Sequence, residues 1–158
     1  MYSFVILAVL VASSLAHMCL LNPYQFGGYV DDVELSKPGA NACGLETGPC
    51  GGKTGGETYV AFMSENYTFV MEKNLDHYNA GSPGNFTINL WTRQGEFLRT
   101  LGSVKDDNRT SGSVYQVRTQ LPHEHGPTEF IIQAVYNTNN PNAPAQFFQC
   151  SNFEIVPR

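Results

Sequence analysis

Ser82-Pro83-Gly84-Asn85 is a turn, and the run after it is Phe86-Thr87-Ile88-Asn89-Leu90-Trp91-Thr92. A run rich in aromatic and β-branched residues, launched from a Pro-Gly corner, reads as a β-strand. The same pattern recurs on both sides of it. Strands are predicted near residues 59–62, 67–72, 86–92, 97–101, 114–120, 129–136 and 147–156, separated by turns such as Asn139-Asn140-Pro141-Asn142. Seven short strands with no helical stretch predict an all-β fold, an immunoglobulin-like antiparallel β-sandwich. Trp91 falls within one of these strands, where core packing is its expected role. Residues 17–57, rich in Gly, Pro and Asn, are expected to be irregular.

At the amino end, residues 4–11 are apolar and the segment closes with Ser14-Leu15-Ala16. Small residues at Ser14 and Ala16 fit a signal-peptidase site, and the run is too short to cross a bilayer core of about 30 Å. The expectation is a signal peptide over residues 1–16 and one mature, secreted, extracellular domain over residues 17–158. Residues 154–158 carry no hydrophobic tail, which argues against a lipid-anchor signal. The formal net charge is −5, with no basic cluster, so neither nucleic acid nor an anionic lipid surface is expected as partner.

Four cysteines, Cys19, Cys43, Cys50 and Cys150, imply two disulfides in an exported chain. Of three possible connectivities, the turn Gly44-Leu45-Glu46-Thr47-Gly48-Pro49 favours Cys43 with Cys50, leaving Cys19 with Cys150. The spacings match no usual zinc pattern. Three N-glycosylation sequons, at Asn66, Asn85 and Asn108, suit the same compartment. Gly51-Gly52-Lys53-Thr54-Gly55-Gly56 lacks the flanking strand and helix of a phosphate loop and reads as a surface loop.

Cleavage after Ala16 would create a free α-amine on His17. The amine and the ring Nδ1 can chelate one metal ion, and one further imidazole completes a three-nitrogen histidine brace. Such nitrogen sets favour Cu(II). An amine pKa of about 8 makes the proton easy to displace near neutral pH. Candidates for the second imidazole are His77, in the polar loop Asn74-Leu75-Asp76-His77-Tyr78-Asn79, and the pair His123 and His125, which flank Glu124 and could form a weaker site of their own. If Cys19 and Cys150 were antiparallel neighbours, Asn152 would stand opposite His17, each two residues from its cysteine.

His17-Met18-Cys19-Leu20-Leu21-Asn22-Pro23, then Cys43-Gly44-Leu45 with Gly48-Pro49-Cys50-Gly51-Gly52, then Leu75-Asp76-His77-Tyr78-Asn79 and Pro83-Gly84-Asn85-Phe86, and finally Phe147-Phe148-Gln149-Cys150-Ser151-Asn152, occur in that order. The ordered set resembles the copper-acquisition-factor-like family, secreted relatives of lytic polysaccharide monooxygenases. The resemblance implies an immunoglobulin-like sandwich with one Cu(II), held by amine and ring of His17 and by His77. It also implies an aspartate two residues after the last cysteine as a further ligand. Here that residue is Asn152, a weaker, neutral donor; Asp76 or Glu124 are alternative substitutes for the missing carboxylate.

The leading functional expectation is a non-catalytic protein that captures, buffers or delivers copper outside the cell. Its partners would be the ion and cell-surface or extracellular-matrix components. Two alternatives stand beside it. An open coordination position would suit a copper-dependent oxidative enzyme on polysaccharides. A metal-free adhesion or glycan-binding module would leave the histidines incidental.

Overall fold

The computed structural model describes residues 17–27, 37–123 and 128–158. Among them eight strands form: β1 (His17–Asn22), β2 (Thr58–Phe62), β3 (Asn66–Leu75), β4 (Asn85–Thr92), β5 (Phe97–Lys105), β6 (Ser113–Gln120), β7 (Glu129–Asn137) and β8 (Gln146–Val156). A short 3-10 turn covers Asn41–Cys43. The strands build a β-sandwich of two sheets, one ordered β1-β3-β6 and the other β2-β8-β7-β4-β5. Every ladder is antiparallel except that between β2 and β8, which is parallel. The signal-peptide segment, Glu124 and His125 lie outside the described residues.

All seven expected strands are present. The eighth, β1, falls where irregular chain was expected, because its six residues lack both alternation and flanking turn signals that stand out from the surrounding Gly and Pro. No helix among the described residues is long and apolar enough to cross a membrane.

Alternation explains the layers. In β4, Phe86, Ile88 and Leu90 face the core, while Asn85, Thr87, Asn89 and Trp91 face outward. Trp91 is therefore not a core residue as expected; its parity puts the indole on the outer face of the five-stranded sheet, with Nε1 donating to Gln133 Oε1 at 3.0 Å. Between the sheets, Phe86 stacks on Tyr115 and Tyr136 with ring centroids 4.2 and 4.3 Å away.

A fully buried charge pair sits beside that stack. Lys73 Nζ lies 2.9 Å from Asp106 Oδ1, and neither side chain is exposed. Tyr115 and Tyr136 hydroxyls also donate to Asp106, at 2.9 and 2.7 Å. Burial alone would raise the Asp106 pKa, but the hydrogen bonds from Lys73, Tyr136 and Tyr115 and the lysine charge hold it below the usual carboxylate range. Burial and Asp106 together push the Tyr115 hydroxyl up to about 12.

The disulfides differ from the expected pairing. Cys19 bonds to Cys43, and Cys50 bonds to Cys150. The local turn between Cys43 and Cys50 does not close on itself. Instead Cys19 faces away from the core by strand parity, toward the 3-10 turn, and takes Cys43, which frees Cys50 to bond to β8.

Candidate metal centre

His17 opens β1 and pairs with Leu75 at the end of β3. That register brings the first residue of one strand to the loop that carries His77. Both side chains are buried, His17 at 1% and His77 at 8% relative exposure. A protein interior seldom leaves a polar atom without a partner. Among the described residues, however, two buried side-chain atoms have none: His17 Nδ1 and His77 Nε2.

Several contacts fix the His17 ring. Gly44 packs flat against it: a Cβ there would overlap Nε2 and Cδ2 and stand 3.1 Å from Cε1. The Cys19–Cys43 bridge pins the residue before Gly44 to the strand that carries His17. Asn74 Oδ1 accepts from the Gly39 and Ala40 amides at 2.8 and 2.9 Å, and Asn74 Nδ2 donates to Glu72 Oε1. Asn74 thus ties the loop over the imidazole to β3.

His77 is held through its backbone. Asn140 Nδ2 donates to the His77 carbonyl at 3.1 Å. Asp76 Oδ1 accepts from the Tyr78 amide at 2.9 Å and also meets Lys73 Nζ at 2.9 Å. The buried lysine therefore bridges the core carboxylate Asp106 and the loop of His77. Asp76 is committed to these contacts.

Burial lowers the His17 pKa, the neighbouring Asn74 side chain opposes that, and His77 lowers it further. The result is a neutral imidazole with an available lone pair, the form a metal requires.

Asn152 is elsewhere. Its expected place opposite His17 depended on a Cys19–Cys150 bridge and a β1–β8 ladder, and neither exists. It pairs with Thr58 and Ile131 and its Nδ2 donates to Gly56 O at 3.2 Å. β8 meets the segment around Gly44 through Phe148, whose amide donates to Leu45 O, and through Gln149, whose Nε2 donates to Ala42 O at 3.0 Å. Asn152 lies three residues beyond Gln149, about 10 Å along the strand. His123 is exposed in the connection between β6 and β7.

No protein-family model matches the chain, and no curated protein matches it. Solved structures similar to it include a LPMO from Kitasatospora papulosa, at 16% identity over 65% of this chain and 52% of that one, with a TM-score of 0.39. Another is an AA10 LPMO from Photorhabdus luminescens, at 14% identity over 92% of this chain and 81% of that one, with a TM-score of 0.44. This chain spans about half the length of the first. Neither likeness carries an argument about the residues described above.

Gly44 and Asn74 were missed in the sequence. A glycine after a cysteine, in a turn, carries no sign that an imidazole packs on it, and an asparagine that braces a loop carries no local signature. No cluster of three or more His, Cys, Asp or Glu side chains forms among the described residues, so a metal here needs a main-chain donor as well. The main-chain nitrogen of His17 would be such a donor if the peptide bond to Ala16 were cut.

Proposed function

We propose that this chain is exported, cleaved ahead of His17, and then holds one Cu(II) outside the cell as a copper-binding protein. The donors are the His17 amine, His17 Nδ1 and His77 Nε2. One observation carries this reading: among the described residues, the two ring nitrogens such a site uses are the two buried side-chain polar atoms left without a hydrogen-bond partner. Leaving both unpaired in a metal-free role would cost about 1–3 kcal/mol each. A bound ion would satisfy both, and neutral nitrogen donors suit Cu(II) over harder cations. Asn152 is not in this donor set, for the geometric reason given above.

The site is a buried pair of rings packed beneath Gly44 and secured by a disulfide, which suits retention of an ion. Capture, buffering or delivery of copper is the function we assign to it. The test is copper titration of the mature protein and its variants, followed by EPR. His77→Ala should weaken Cu(II) binding by more than roughly a hundredfold, beyond the usual loss for a supporting residue. His123→Ala should leave it unchanged; equal losses would overturn the choice of His77. Copper-dependent peroxide consumption with chain cleavage on chitin or cellulose would move the assignment from carrier to oxidative enzyme, and we expect none.

A further inference from the structure

On the outer face of the five-stranded sheet, away from the core, lies a shallow groove of about 440 Å³. Trp91, Phe97 and Phe148 supply its rings, and Asn89, Gln133 and Asn137 its amides. Among the described residues, no charged side chain lines it. Phe97 is 50% exposed and meets Trp91 edge to face at 5.4 Å between centroids. The rings are held in place: Gln133 accepts from both Trp91 Nε1 and Asn89 Nδ2, and donates to Pro49 O at 2.7 Å. An open face with fixed aromatics and uncharged amides suits a neutral, hydroxyl-rich ligand, whose C–H faces lie on rings and whose hydroxyls meet amides.

The chain itself carries an attachment point for such a ligand at the rim of this groove. Asn85 lies in the same outward row of β4 as Thr87, Asn89 and Trp91. It heads the sequon Asn85-Phe86-Thr87. Its side chain is bonded directly to two residues that line the groove: Nδ2 donates to Thr87 Oγ1 at 3.0 Å, and Oδ1 accepts from Asn137 Nδ2 at 3.1 Å. From Thr87 to Trp91 the row runs about 13 Å, the scale of a short oligosaccharide. The other two sequons do not belong to this row of β4. Asn66 is exposed at the start of β3, and Asn108 is exposed in a turn with φ 67°.

We propose that the inner sugars of an N-glycan on Asn85 lie along this groove and cover Trp91 and Phe97. Tethering makes the contact intramolecular, so weak sugar–aromatic contacts suffice. The glycan would also shield two large rings that otherwise face water. The assignment rests on the reading that the chain is exported.

Trp91 is the only tryptophan, so its fluorescence reports on the groove alone. The experiment uses the full chain secreted from a eukaryotic host, with glycopeptide mass spectrometry at each sequon. Acrylamide quenching of Trp91 is then measured before and after enzymatic release of N-glycans from the folded protein. A glycan at Asn85 is expected, with release increasing the quenching constant severalfold and shifting emission to the red. Asn85→Gln should match the released protein, whereas Asn66→Gln and Asn108→Gln should match the untreated one. Should Asn85→Gln fail to fold, enzymatic release still decides. Glycans on Asn66 or Asn108 with Asn85 bare would overturn the proposal while leaving export intact. A glycan on Asn85 whose release leaves Trp91 quenching unchanged would overturn it too. Three bare sequons on a chain retained in the cell would overturn both this proposal and the export reading.

Discussion

Gly44 lies against the His17 imidazole so closely that no side chain fits between them. The ring cannot retreat freely, because the strand bearing it is cross-linked to Cys43, the residue before Gly44. Gly44→Ala should therefore displace the ring and lower Cu(II) affinity by about 10–100-fold, the range for residues that orient a metal ligand. Copper titration by calorimetry checks this. An unchanged affinity would mean that the ring position seen here is not the binding one.

The two disulfides should separate in function. Peptide mapping without reduction should recover Cys19 linked to Cys43 and Cys50 linked to Cys150. Removing the first pair as Cys19→Ala/Cys43→Ala should cost about 3–4 kcal/mol of stability, and removing the second about 4–5 kcal/mol, since it closes the longer loop. Only the first should also weaken copper binding, because only it anchors the chain that packs on His17.

The Lys73–Asp106 pair sets an acid limit on stability. The Asp106 pKa in the fold lies below that of the unfolded chain, near 3.9 for a free aspartate. Between those two values the unfolded chain binds the proton more readily. The stabilisation is thus complete above about pH 4 and is lost as pH falls through the folded value. Asp106→Asn should remove it at every pH, costing about 3–5 kcal/mol because the lysine stays buried with a weaker partner. Urea unfolding between pH 2.5 and 6 should show a steep acid limb in the parent and a flatter one in the variant.

Much of the sandwich was legible in the sequence because its strands alternate and its turns carry Pro, Gly and Asn. The run over 86–92 shows this best, since Phe86, Ile88 and Leu90 fill the core as period two demands. The same rule places Trp91 outward, against the core role that its residue type suggests. His17 and His77 stand out in the sequence as candidate ligands, from chemistry and from the family resemblance. The Lys73 network was readable in part: Phe69, Met71 and Lys73 share a buried row of β3, and a lysine there demands a partner. Nothing local named Asp106. The disulfide pairing was not legible, since short separation is a poor guide when strand parity turns a cysteine away from its sequence neighbour.

Asn152 provides a sharp contrast between resemblance and geometry. Its amide bonds to Gly56 and its side chain belongs to the outer face of the five-stranded sheet. Asn152→Ala should leave copper affinity unchanged, and Asn152→Asp should not raise it. A marked gain with aspartate would place this residue at the site after all.

The most direct measurement compares the chain beginning at His17 with one carrying a single extra glycine ahead of it, by Cu(II) titration and EPR. The account predicts one tightly bound Cu(II) with nitrogen ligands in the first, and a loss of more than roughly a hundredfold in the second, where the amine is displaced from the chelate. Equal binding and identical spectra would contradict it.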